Sequence, residues 1–313
     1  MLSRTADNLF WFARYIERAD NTARILEAAS RLSAMPIAYS GTSNEWESAV
    51  ASTGTLPRFN ESYDEPDAKS VVDYLAFSRT NTSSIKMCIE TARANARAVR
   101  TALTAVMWEA INGAWLDLRR VDGSNMGRSA LDSFLARVKE AALRLDGSAY
   151  RTMLRSDAYF FFRLGVMLER ADNTARILDV KYNLLLPEHT NVGGGLDFFQ
   201  WSSILRIVSA DVAYHRIYRQ SLRPWLIADL LVLRAEMPRS LAACYDSIRE
   251  TLDRLANEYG RQGPAQRLAR SIRTRLANAH IDDIFKSGLH EFLTEFVGEN
   301  ARLGDAIIEQ YLS

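Results

Sequence analysis

The chain has 313 residues, 48% of them apolar, enough to bury a substantial core and a length that fits one large domain or two of ordinary size. Thirty-nine Lys and Arg stand against 38 Asp and Glu, a formal charge of +1, so no global field draws the molecule to nucleic acid or to an anionic membrane. Two cysteines, Cys88 and Cys244, lie far apart and outside any CxxC; they offer neither a disulfide framework nor a zinc site, and suit buried free thiols in a reducing compartment.

The first twenty residues carry a charge every few positions and lack the apolar run of a secretory signal. The most apolar later stretch, Trp225 to Leu233, is short and broken by Asp229, so a cytoplasmic protein without a membrane span is expected. Glycine and proline are scarce, 15 and 7, and mark the joints between long helical stretches. Ser3 is a capping residue, and beyond it Leu9, Phe12, Ile16, Ala19, Ala23 and Leu26 step by three and four, predicting a helix to about Ala34. Residues 36–68 hold Pro36, Gly41, Gly54, Pro57 and Pro66 among Ser, Thr and Asn, which predicts a long loop excursion with one short helix near Trp46.

From Ala68 to Val121 the helical pattern returns, with Asn81 or Thr82 as the cap of a long segment through Trp108. Asp122 to Gly127 reads as a turn, Arg128 to Leu145 as a helix stopped at Gly147, and Ser156 to Leu185 as a long helix ended by Pro187. Gly193 to Gly195 marks the next joint. Leu196–Gln220, Pro224–Leu233, Pro238–Tyr259, Pro264–Ala279 and Ser287–Leu312 complete the helices, three of them opened by proline. No alternating β-branched runs occur, so the fold class is all-α.

Glu17 to Leu26 (ERADNTARIL) recurs letter for letter at Glu169 to Leu178. The copies share a helical phase, with Phe10 matched by Phe162 and Ile16 by Leu168, which predicts a multi-helix bundle with a pseudo-twofold duplication of a long central helix. A weaker echo at Ile89 to Arg97 keeps the Glu-to-Arg spacing as Glu90 and Arg97. Glu17, Asp20, Asn21 and Arg24 fall at i, i+3, i+4 and i+7 and form one polar stripe; Glu169, Asp172, Asn173 and Arg176 form another. Phe10, Ala13, Ala23 and Ala28 crowd the first stripe, so it should lie inside the bundle, where charges must be paired. One reading is a structural network in which Glu of one copy meets Arg of the other. A second is a cleft binding a carboxylate, phosphate or amine, with Glu17 or Glu169 as general acid or base and Arg24 or Arg176 as the fork. A carboxylate-bridged metal pair would want an accompanying His, and neither stripe has one, so no metal or cofactor is expected.

Other features are less specific. His189, His215, His280 and His290 show no metal-ligand spacing, and Walker, GxGxxG and GxSxG motifs are absent. Arg261, Arg267, Arg270, Arg273 and Arg275 give one helix a basic character that could meet an acidic partner or a phosphate backbone but, without aromatic interleaving, reads as a solvated face. Tyr214, His215 and Arg216, within DVAYHRIYR, form a secondary candidate ligand surface.

LSRTADNLFWFARYIERADNTAR at Leu2 to Arg24, FRLGVMLERADNTARIL at Phe162 to Leu178, and ILRIVSADVAYHRIYR followed by MPRS at Met237 to Ser240 occur in one order. Together they resemble the bacterial alpha-E family of helical proteins, for which no activity is established. The resemblance covers the whole chain and implies one helical domain over 1–313, with halves of about 1–150 and 151–313. It also implies company, a circularly permuted ATP-grasp ligase and a transglutaminase-like cysteine peptidase. An accessory or scaffold role in a peptide or amide-bond-forming pathway is therefore expected, with an enzyme acting through the duplicated stripes on a small peptide-like or anionic substrate as the alternative.

Overall fold

A computed structural model describes residues 1–34, 44–121, 123, 126–184 and 195–313. Every regular element among them is helical. In chain order they are α1 (Ser3–Leu32), α2 (Glu45–Ser52), α3 (Leu56–Asn60), α4 (Ala68–Val72), α5 (Ile85–Ala98), α6 (Ala105–Leu118), α7 (Arg128–Thr152) and α8 (Asp157–Leu184). Then follow α9 (Gly195–Ile207), α10 (Asp211–Tyr218), α11 (Pro224–Val232), α12 (Leu241–Tyr259), α13 (Pro264–Asn278), α14 (Ile281–Ser287) and α15 (Leu289–Ile307). Among the described residues no helix is long and apolar enough to cross a membrane.

The two longest helices, α1 and α8, pack on each other and form the centre. Helices α5 and α7 pack on α1, α12 and α15 pack on α8, and α2 lies against both. The crossing is close because Gly165 has no side chain: a Cβ there would stand 2.3 Å from the Phe10 carbonyl oxygen and 2.9 Å from the Ala13 Cβ. Phe12 and Phe162 meet beside it with ring centroids 5.6 Å apart. Both central helices are apolar on most sides, so their polar stripes have nowhere to go but the interior.

Several expected boundaries move. Leu2, not Ser3, occupies the N-cap of α1, with no side-chain cap. Residues 36–43 of the expected 36–68 excursion, residues 122, 124 and 125 of the expected turn, the expected end of the long helix at Leu185 and Pro187, and Gly193 and Gly194 of the glycine joint lie outside the described residues. The rest of the excursion is compact: Asn44 caps α2 by accepting from the Trp46 and Glu47 backbone, and Phe59 of α3 is buried against Tyr63 and Tyr74. The cap of α5 is Ser84; Asn81 instead donates to the Tyr74 carbonyl, and a π turn at Asp73–Phe77 interrupts the expected continuous helix. Helix α7 runs through Gly147 to Thr152, since nothing there requires a left-handed turn. The expected Leu196–Gln220 helix breaks at Ser209, whose φ is 57°, and α12 begins at Leu241 under a Ser240 cap rather than at Pro238.

Candidate functional site

Desolvating a carboxylate is tolerable only where cations and hydrogen bonds replace the lost water. Glu17 and Glu169 are 6% and 2% exposed, so each needs such a shell. Glu17 receives a bidentate fork from Arg170 of α8, Nε to Oε1 at 2.8 Å and Nη2 to Oε2 at 2.9 Å. Glu169 receives the reciprocal fork from Arg18 of α1, Nε to Oε1 at 2.6 Å and Nη2 to Oε2 at 3.1 Å. The Glu-Arg dipeptide of each copy therefore pairs with the Glu-Arg dipeptide of the other. The cross-helix partners are Arg18 and Arg170, not the Arg24 and Arg176 of the stripes. Those two find their carboxylates on their own helices, Arg24 donating to Asp20 at 2.8 Å and Arg176 to Asp172 at 2.7 Å, because i,i+4 spacing brings each pair together, while Arg24 Nη1 also donates to the Ile207 carbonyl and the Ser209 hydroxyl at the end of α9.

A second arginine completes each shell, and its source differs. Arg239, in the turn before α12, bridges Glu17 Oε1 at 3.0 Å and Asp20 Oδ2 at 2.8 Å. Arg14 of α1 donates its Nε to Glu169 Oε2 at 2.7 Å, with its guanidinium 4.8 Å from the Trp11 ring centroid. Burial would raise the pKa of Glu17, but Arg170 and then Arg239 outweigh it and hold the carboxyl at about 2. Burial opposed by Arg18 and then Arg14 leaves Glu169 at about 2 as well.

The chain's two cysteines flank this network. Ser84 caps α5 and donates its hydroxyl to the Ser78 carbonyl; Ser240 caps α12 and donates to the Arg234 carbonyl, six residues back in both cases. Four residues beyond each cap stands a buried free cysteine. Cys88 senses Arg18 and Glu169, Cys244 senses Arg170 and Glu17, and burial pushes both thiols up to about 12.

On the Glu169 side the network walls a cleft of about 300 Å³. Glu169, Asp172, Asn173 and Arg176 of the second stripe line it, together with Asn21 of the first and Arg14, Arg18 and Ser83. Gly54, at a φ of 71° that favours glycine, lies against Arg176: a Cβ would stand 2.7 Å from Nη1 and push the guanidinium aside. Asn173 is 7% exposed, and its Nδ2 has no partner.

The remaining candidates lie elsewhere. Glu90 is half-buried and Arg97 exposed on α5, and neither joins the network. Tyr214 is a core residue whose hydroxyl donates to the Ser221 carbonyl and accepts from the Arg223 amide. His215 lines a second cleft of about 320 Å³ with Arg24, Arg31 and Arg206, and both it and Arg216 are exposed. His189 lies outside the described residues. Three arginines of α13 are drawn to neighbouring helices: Arg270 and Arg273 pair with Asp253 and Asp246 of α12, and Arg275 with Glu295 and Glu299 of α15, whereas Arg267 is exposed and Arg261, ahead of α13, donates to the Gln310 carbonyl.

A family model, Alpha-E, described as a predicted alpha-helical domain with a conserved ER motif, matches residues 1–312. The chain belongs to the Alpha-E family. Its only two Glu-Arg dipeptides, Glu17-Arg18 and Glu169-Arg170, are the reciprocal pairs at the α1–α8 contact. An uncharacterised protein of Mycobacterium bovis and others of Mycobacterium tuberculosis strains CDC 1551 and H37Rv are each 23% identical over 323 residues. The match covers 96% of this chain and 36% of each relative, so the Alpha-E chain spans about a third of the length of these curated relatives. No solved structure matches it.

Proposed function

We propose that this chain is a cytoplasmic accessory module of an amide-bond-forming system, which binds an ATP-grasp ligase or that ligase's peptide-like product and catalyses no step itself. The observation that carries this reading is the state of the two central carboxylates. A general base works best with a pKa near the operating pH, and Glu17 and Glu169 are held at about 2 by arginines occupying both oxygens of each. Assigning either as acid or base, as the enzymatic alternative does, runs against that. The length of the mycobacterial relatives supports the same reading, since there the Alpha-E region has a larger polypeptide around it. The two halves, about 1–150 and 151–313, are read as pseudo-symmetric parts of one domain; the reciprocal forks and the matched Ser84–Cys88 and Ser240–Cys244 pairs support this.

The test is direct. Purified chain is mixed with a circularly permuted ATP-grasp ligase from the same organism, and association is followed by calorimetry alongside the ligase's ATP turnover. Binding with altered turnover is expected. Absence of both association and any effect on turnover overturns the proposal.

A further inference from the structure

The cleft beside Glu169 has a cause visible in the other half of the network. Arg239 immediately precedes the Ser240 cap of α12 and fills the space beside Glu17 and Asp20. The residue immediately preceding the Ser84 cap of α5 is Ser83, whose hydroxyl accepts from Arg18 Nη1 at 3.2 Å but is far too short to reach as Arg239 does. Where one half holds a guanidinium, the other holds open space lined by polar groups.

The groups facing that space are rich in donors. Three guanidinium groups, Arg14, Arg18 and Arg176, face two carboxylates, Glu169 and Asp172, so one positive charge is left over. Arg14 spends only its Nε on Glu169, and Asn173, a lining residue more than nine-tenths buried, keeps its Nδ2 shielded from solvent and without an acceptor. A single negative charge balances this lining, whereas a phosphate brings closer to two and meets repulsion from Glu169 and Asp172. One acceptor is still weakly used: Asp172 Oδ1 receives only Arg176 Nη2, at 3.5 Å. A volume of about 300 Å³ is at the small end of ligand pockets.

We infer that this cleft binds a small monocarboxylate, with the carboxylate received by Arg14 and by the Asn173 amide, which turns its unpartnered Nδ2 into the cleft as the ligand enters, and an adjacent N–H of the ligand donated to Asp172. The site is a property of this chain alone and is independent of any ligase, so the two proposals fail separately. N-acetylglycine carries the required pair of groups, and N-acetylglycinamide removes only the charge. Binding is measured by NMR titration and by the ligand-induced rise in Tm. N-acetylglycine is expected to bind and to outcompete both the amide and inorganic phosphate. Asn173→Ala should weaken it on the order of tenfold, as expected for the loss of one hydrogen bond to a charged group. Ser83→Met, which fills the cleft from a different element, should weaken it at least as much and keeps the test open if the first variant fails to fold. N-acetyl-triglycine separates the sources: equal affinity marks a chain terminus, loss of affinity a free small acid, and both retain the carboxylate site. Equal affinity for acid and amide, a preference for phosphate, no detectable binding of N-acetylglycine, or binding indifferent to both substitutions overturns the proposal.

Discussion

A buried arginine without its carboxylate is costlier than a buried pair, and this sets what each side chain of the network is worth. Glu17→Gln leaves Arg170 and Arg239 facing a neutral amide, and a loss of about 3–5 kcal/mol is expected from urea unfolding at neutral pH. Arg239→Ala should cost less, because Arg170 still holds Glu17 and Arg24 still holds Asp20. Equal costs for the two variants would contradict this arrangement. The stripe itself was legible in the sequence, since helical periodicity alone places Glu17, Asp20 and Asn21 together and all three are buried. Their partners were not. Arg18 and Arg170 stand one residue, about 100°, off the stripe, and only the reach of a long side chain brings each across to the facing helix. The repeated Glu-Arg dipeptide was the available signal. Nothing in the repeat marks Arg14, whose counterpart in the second copy is Val166, or Arg239, which lies far outside it.

At the level of elements, two helical glycines have opposite roles. Gly165 sits where α1 and α8 touch, and a methyl group there collides with the Phe10 backbone, which belongs to a packed helix and cannot step aside. Gly165→Ala is expected to destabilise by about 1–3 kcal/mol despite alanine's better helix propensity. Gly147 is exposed on α7 with nothing within 4 Å of a built Cβ, so Gly147→Ala should stabilise by about 0.5–1 kcal/mol. Thermal melts of the two variants should therefore shift in opposite directions; a common direction would show that the α1–α8 approach is looser than described. Both glycines look alike to a reading based on propensity, which is why Gly147 suggested a helix end. Long helices such as α1 and α8 were readable from their apolar period. The breaks around α4 to α6 and at Ser209 were not, because they depend on tertiary contacts such as the Asn81 bond to the Tyr74 carbonyl.

For the molecule as a whole, the ionised pair couples folding to acid. Glu17 and Glu169 have folded-state values of about 2 against an ordinary 4.5. Well above pH 4.5 both are ionised whether the chain is folded or not, and their full contribution is present. As pH falls from 4.5 towards 2 the unfolded chain takes up protons that the folded chain refuses, so stability drains away, and below 2 the contribution is gone. Glu27 and Asp157, held below their usual range against burial chiefly by Lys139 and by the N-terminal ammonium respectively, act in the same direction. Around pH 3 each deeply shifted glutamate steepens the stability curve by about 1.4 kcal/mol per pH unit. Urea unfolding measured at steps from pH 5 to pH 2.5 should show the wild-type free energy falling steeply. In a variant that still folds, such as one carrying Glu17→Gln together with Arg239→Ala, the slope should be smaller by about that amount, since one of the two titrating carboxylates is gone. An unchanged slope would mean that Glu17 titrates normally in the folded chain, and the Arg170 fork would then not be the contact that holds the central helices together.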